Sequence, residues 1–295
     1  MSLEQEAVIT TTANLLAEHD QALPRATLQP NNQKKLARQD ILSGFHQWPV
    51  WLTLAYQDIK IRYRRSVLGP LWITLSMAIT VYSMGYLYAH LFHTELQHYY
   101  PVLTAGMLSW SLLLGIVTDA TDGFVTYTGL ITQIKLPYTL HIHRIVARNF
   151  IVFFHNILVM LPILAIFHEY AKVNWQTLLL IPGLLTLYIN GMSYGLILAM
   201  VGSRYRDIPQ IIKSIMQVIF FVTPVLWEIS TLPPHAQWIA TYNPFYAFTQ
   251  LIREPMLGRM PTLTNVGMAL SITLLGLWMS FKLFVKYRSR IVYWI

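Results

Sequence analysis

The chain has 295 residues, 55% of them hydrophobic and 12% charged, and its mean hydropathy of +0.44 excludes an ordinary soluble domain. A formal charge of +8 would suit a nucleic-acid binder if the basic residues shared one solvated face, but they gather at the ends of apolar runs. There they act as topology determinants and contacts for anionic lipid, so no nucleic-acid partner is expected. The absence of cysteine excludes disulfides, thiolate metal sites and a cysteine nucleophile.

Residues 1–40 are rich in Gln, Asn and Thr, carry Pro24 and Pro30 and lack apolar periodicity, which predicts a flexible cytoplasmic tail. The start, MSLEQEAV, has neither the basic nor the apolar region of a cleaved signal peptide, so insertion is expected from internal helices. Within residues 41–66, Trp48, Trp51, Leu52, Ala55 and Ile59 recur at three-and-four spacing while Thr53, Gln57, Asp58 and Lys60 fall on other faces. That pattern predicts an amphipathic helix at headgroup level, held to anionic lipid by Lys60, Arg62, Arg64 and Arg65.

The remainder, residues 67–295, reads as an all-α integral membrane domain. Spanning about 30 Å of hydrocarbon takes roughly 20 helical residues, and six segments qualify, near 68–92, 100–120, 145–167, 177–201, 211–227 and 263–285. Gly69 and Pro70 fit the first helix start. Of the 21 Lys and Arg, only Lys172, Arg253 and Arg259 fall in the first, third and fifth loops. Of the other 18, 15 lie in the tail, the even loops and the C-terminus, and Arg148, Lys213 and Lys282 lie within a few residues of the ends of segments that adjoin those parts, so both termini are expected in the cytoplasm.

The second loop, residues 121–144, contains GLITQIKLP. Leu130, Ile131 and Ile134 share one face of a short helix ended by Pro137, leaving Thr132, Gln133 and Lys135 toward a cytosolic partner; an interfacial connector with no partner is the alternative. In the third segment Arg148 is expected to snorkel, and the deeper His155 and Asn156 to hydrogen-bond between helices or to line a polar pathway. Gly191 and Gly195 permit close helix approach. In the fifth loop Asn243 and Pro244 read as the N-cap and first position of a short apolar helix. Too short to span, it is expected to form part of a helical pair dipping into the outer leaflet.

No phosphate-binding G-x-x-x-x-G-K-[ST] loop, HExxH zinc pattern or GxSxG elbow is present. Asp119 and Asp122 read as helix-end polar groups. Glu95, Glu228 and Glu254 are the loop carboxylates open to a catalytic role. Tyr82 and Tyr86, one turn apart within the first segment, suit either helix packing or the face of a sugar.

Four stretches together resemble bacterial polysaccharide ABC exporter permeases of the type that exports O-antigen, capsule or teichoic acid. They are RYRRSVLGPLW from Arg62, LITQIKLP from Leu130, YRDIPQIIKSIMQVIFFVTPVLW from Tyr205 and NPFYAFTQLIREPMLG from Asn243. The resemblance covers the chain from Trp48 onward. It implies six transmembrane helices per subunit, an interfacial helix bearing Trp48 and Trp51, a homodimeric channel and a separate ATP-binding-cassette subunit holding ATP and Mg, with no cofactor in this chain. It further implies that the short second-loop helix, with Leu130, Ile131, Thr132, Gln133 and Lys135, couples to that ATPase. By the same analogy Tyr82, Tyr86, Phe220 and Phe221 would contact a lipid-linked polysaccharide in the pathway. Trp227, Tyr242 and Tyr246 would stand at the external gate of an inner-membrane exporter. A drug or simple-lipid exporter, and a membrane enzyme of lipid-linked glycan assembly, are the competing readings.

Overall fold

The computed structural model describes residues 30–169, 172–229 and 232–295. The tail expected over residues 1–40 lies outside the described residues as far as residue 29; from Pro30 the chain is helical rather than flexible. The chain divides into two units, Met1–Leu36 and Ala37–Ile295, and α1 (Pro30–His46) contributes its residues from Ala37 onward to the second.

The described residues are helical in every regular element. α2 (Trp48–Arg62) is helical where the amphipathic helix was expected, but its apolar residues do not gather on one side: Ala55 and Ile59 are buried, Trp48 and Leu52 are exposed, and Asp58 is withdrawn from solvent by its ion pairs. α3 (Leu71–Leu91) and α4 (Leu96–Thr121) follow, then two short loop helices, α5 (Gly123–Thr126) and α6 (Thr128–Gln133). α7 (Tyr138–Asn156) passes through a 3-10 turn, Ile157–Val159, into α8 (Met160–Ile166). A second 3-10 turn, Trp175–Leu179, leads into α9 (Leu180–Arg204), and α10 (Ile208–Val222) follows. α11 (Trp238–Thr241) and α12 (Pro244–Met256) precede α13 (Leu263–Tyr287), which ends in the 3-10 turn Arg288–Tyr293.

Five of these runs are long and apolar enough to cross a bilayer: α3, α4, α7 with α8, α9 with its preceding turn, and α13 with its following turn. The expected fifth crossing is shorter than its sequence pattern suggested. α10 stops at Val222 because Pro224 forces the residue before it out of the helical region, and Thr223 accordingly takes φ −88° and ψ 132°. The third crossing starts seven residues early, at Tyr138 rather than 145, since Pro137 supplies the helix boundary.

Local chemistry sets the other ends. Gly69 adopts φ +56°, a left-handed conformation that glycine enters without a Cβ penalty, and turns the chain into α3 behind Pro70. Asn243 caps α12 as expected, its Oδ1 accepting from the Phe245 and Tyr246 amides at 2.9 and 3.3 Å. α12 then runs on to Met256, through Pro255, rather than stopping before that proline. α7 has no cap of its own, because Pro137 has no side-chain acceptor. Asp40 of α1 supplies one: its carboxylate accepts from the Tyr138 and Thr139 amides at 3.2 and 3.1 Å.

α4 is the axis of the bundle. It packs on α3, α7, α9, α10 and α12, and buries most of its length from Tyr99 to Thr121, including Leu103, Leu108, Leu112 and Leu113. α3, by contrast, buries only Val81, Gly85 and Ala89. The expected close approach on α9 is present: Gly191 faces Val146 and Ile116, and Gly195 faces Ile142 and Ala120. Gly202, in the last turn of α9, lies directly against the Thr121 carbonyl, which leaves no room for a Cβ. Gly202→Ala is therefore expected to lower stability by about 1–3 kcal/mol. Gly267→Ala, on α13 with open space around it, should be neutral or stabilising by up to about 1 kcal/mol. Thermal unfolding of both variants in one detergent checks the contrast.

Candidate functional site

The basic end of the bundle holds a set of ions that the sequence reading assigned separately. Asp58 on α2 receives a two-pronged contact from Arg144 on α7, at 2.9 Å from Nε and 2.5 Å from Nη2. Arg148, one turn further along α7, reaches Asp58 at 3.5 Å through Nη1 and Asp119 on α4 at 2.7 Å through Nη2. Asn149 donates a further bond to Asp119 at 2.9 Å. Two carboxylates and two guanidinium groups leave the set formally neutral. That balance matters because both arginines and Asp58 keep only about an eighth of their side-chain surface exposed, and buried charges persist only when paired.

Tyr127 completes the set from the loop between α5 and α6. Its hydroxyl donates to Asp58 at 2.9 Å and accepts from Arg148 at 3.1 Å. The Arg144 guanidinium lies 3.9 Å over its ring, and His141 stacks on it at 5.7 Å. Burial, chiefly, pushes the Tyr127 phenol up to about 12, against the opposing pull of Arg148 and Arg144. Tyr127 is the residue immediately before α6, so one side chain ties the short loop helix to α2, α4 and α7 together. The expectation that Arg148 snorkels and that Asp119 merely decorates a helix end is corrected here: they pair with each other across two helices. The legible signal was an acid at the mouth of one apolar segment and a base one turn inside the next.

The second-loop helix itself is shorter than expected, ending at Gln133, with Ile134 already extended at ψ 127°. Ile131 packs on the core, Leu130 is half-buried, and Thr132, Gln133 and Lys135 are exposed. Ile134 is exposed rather than sharing the packed face. On α2, Trp51 stacks on His143 of α7 at 5.3 Å with the rings 15° apart, whereas Trp48 is exposed. Arg62, Arg64 and Arg65 are exposed at and beyond the end of α2.

The aromatic pair on α3 divides. Tyr82 donates to the Val159 carbonyl at 3.0 Å and meets Tyr100 edge-on, which is helix packing; Tyr86 is exposed and touches only His90 among ring neighbours within the described residues. On α10, Phe220 lies against Trp110 and Phe221 at 5.5 Å each, and Phe221 is exposed. At the opposite end of the bundle, Trp227 donates its indole N–H to the Phe221 carbonyl at 3.3 Å. Tyr242 is exposed, while Tyr246 is buried beside Arg253. Among the described residues, His155 and Asn156 do not form the side-chain bonds between helices expected of them: His155 bonds to the Ile151 carbonyl in its own helix, and Asn156 Oδ1 is buried with no partner there.

Fold and site define a multi-pass helical membrane protein whose loop helix is locked by one tyrosine to an internal charge set. The chain belongs to the ABC-2 type transporter family, which it matches over residues 49–257. It is 21% identical over 204 residues to an O-antigen export system permease protein RfbA of Klebsiella pneumoniae, covering 69% of this chain and 78% of that protein. An RfbA of Myxococcus xanthus with the same description is 23% identical over 184 residues, 61% of this chain and 69% of the relative. The polysialic acid transport protein KpsM of Escherichia coli is 22% identical over 256 residues, 84% and 96% of the two chains.

Removing one charge from the balanced set should be costly. Asp58→Asn is expected to destabilise by about 3–5 kcal/mol, and the double variant Asp58→Asn, Arg144→Gln by less than the sum of the two single changes, as read by a double-mutant unfolding cycle. Alkaline pH offers a second check. The folded state holds the Tyr127 proton to about pH 12 while the unfolded chain releases it near 10. The Tyr127 contribution is therefore complete below pH 10 and lost as pH rises through about 12. Tyr127→Phe should flatten that part of the stability profile, measured by unfolding across pH 9 to 12.

Proposed function

We propose that this chain is the permease subunit of an ATP-driven exporter that carries an undecaprenyl-linked polysaccharide, O-antigen in preference to capsule, across the bacterial inner membrane. The observation that carries the reading is that relatives described as O-antigen export and polysialic acid transport proteins align with 61–84% of the chain, while the family match over residues 49–257 runs through both the loop helix and α12. The basic end faces the cytoplasm and both termini lie there, in keeping with retention of Lys and Arg on that side. Two copies form the channel, and two separate ATP-binding-cassette subunits supply ATP and Mg.

In this reading α6 is the coupling helix. Its exposed Thr132, Gln133 and the adjoining Lys135 dock on the ATPase, with Ile134 as an apolar contact. Tyr127 delivers the displacement of α6 to Asp58, Arg144 and Arg148. The helices that bear those ions then shift as a body, since separating any one of them would strand a buried charge. α2 lies at the headgroup level with Trp48 outward and Arg62, Arg64 and Arg65 toward anionic lipid. Tyr86, Phe220 and Phe221 border the polymer path, and Trp227, Tyr242 and Tyr246 its outer exit.

The test is Lys135→Glu combined with Leu130→Gln and Ile131→Gln. Loss of ATPase co-purification, with long lipid-linked polymer trapped on the cytoplasmic leaflet, is the expected result. Survival of both association and export sinks the docking assignment. Accumulation of single repeat units on depleting the chain points instead to a polymerising enzyme.

A further inference from the structure

α10 carries an unusual pattern for a helix in an apolar bundle. Gln210, Lys213, Ser214 and Gln217 recur at three-and-four spacing and all are exposed. Ile212, Met216 and Ile219, on the other side, pack on the core. Gln217 stands nine residues beyond Ile208, roughly 14 Å along the helix at about 1.5 Å per residue. An exposed amide at that depth is costly in hydrocarbon, so this face of α10 borders water.

Between that face and α4 lies a cavity of about 500 Å³ lined by Thr118, Lys213, Gln217, Leu114, Trp110 and Phe220, among others. Its chemistry is graded. Thr118 and Lys213 stand at the basic end, Gln217 follows one turn along, and Trp110 and Phe220, with rings 5.5 Å apart, close the far end. The Thr118 hydroxyl proton is committed to the Leu114 carbonyl at 2.8 Å, which leaves its oxygen free to accept. The slot is mostly apolar, with Met107, Leu114 and Met216 in its lining and Trp110 buried behind it, and the Lys213 ammonium, the Gln217 amide and the Thr118 oxygen beside the Phe220 ring match a saccharide that bears negative charge.

Lys213, at the edge of the slot, already holds an ion pair: its Nζ lies 3.7 Å from Asp122 Oδ2, just past the end of α4, with both side chains about half exposed. A pair so exposed is held weakly, so a second anion can compete for the same ammonium. We propose that this slot is a saccharide subsite in which Lys213 exchanges the Asp122 carboxylate for a phosphate or carboxylate of the ligand, while Gln217 and Thr118 meet its hydroxyls. The proposal rests on the export function above and names the part of the cargo recognised at its entrance.

The test uses the permease–ATPase complex in lipid nanodiscs and equilibrium calorimetry with four probes: farnesyl diphosphate, farnesol, a sialic acid tetramer and maltotetraose. Wild type is expected to bind at least one anionic probe tenfold or more tighter than its neutral counterpart. Lys213→Gln should erase the difference, and Asp122→Asn should tighten anion binding several-fold by removing the competitor. Loss of the diphosphate preference alone assigns the anion to the lipid anchor; loss of the sialic acid preference alone assigns it to the sugar chain. Unchanged anion affinity in Lys213→Gln, or no anion preference in wild type, overturns the subsite. Thermal unfolding of the same samples controls for folding, and Lys213, being on the surface, should leave it unmoved. Wild-type permease that associates with its ATPase yet shows no Lys213 effect refutes the subsite alone, whereas failure to associate refutes the export reading.

Discussion

Asp58 is the residue on which the basic end depends. Its carboxylate is nearly withdrawn from water and is compensated by two arginines on α7, one of which also answers to Asp119 on α4. Such a set is favourable only when complete, because each ion was desolvated to enter it. The consequence is mechanical: α2, α4 and α7 cannot separate at this end without stranding a charge. Tyr127 adds the loop helix to the same body through a hydroxyl that both donates and accepts.

A second carboxylate repeats the device with different partners. Asp40 caps the first turn of α7, accepts from the Thr139 hydroxyl at 2.9 Å and pairs with Arg288 at 3.0 Å, so α1, α7 and the turn after α13 meet on one side chain. The opposite end of the bundle is stitched mainly by bonds to backbone carbonyls and neutral groups. Tyr99 donates to the Leu226 carbonyl at 2.6 Å, Arg253 to that of Pro224 at 2.8 Å, and Asn243 to the Thr223 hydroxyl at 2.9 Å. All three converge on the segment that Pro224 breaks out of α10, whose freed backbone groups need partners when buried.

α10 is thereby fixed at its far end while little of its length is held. Met216 is its one fully buried residue. A helix pinned beyond its break, tied at its start by the short link from α9 and polar along one side suits the wall of a water-filled path. α4, buried on nearly all sides, suits the stationary partner against which such a wall works.

The helical class, five of the six spanning segments to within a few turns, a helix from Trp48 and the Asn243–Pro244 start of α12 were legible in the residues, because hydropathy and capping are local. The two-sided character read into the Trp48 helix was not borne out, since its exposed and buried residues are set by the α7 contact. The shortening of α10 was also written locally, in Thr223–Pro224, but an apolar run continuing to Trp227 masked it. What the sequence could not disclose is partnership. Asp119 and Arg148 read as two helix-end groups, Asp58 as one polar residue of an amphipathic helix and Tyr127 as nothing in particular. Tyr82 and Tyr86 looked equivalent until Tyr82 met Val159 and Tyr100 across a helix contact. The sequence by itself determined which segments are apolar enough to cross a bilayer and where along the chain the charges that bound them fall, since those depend on transfer from water residue by residue. Tertiary structure decided which buried charges neutralise one another, because that depends on distances between helices that no local pattern encodes.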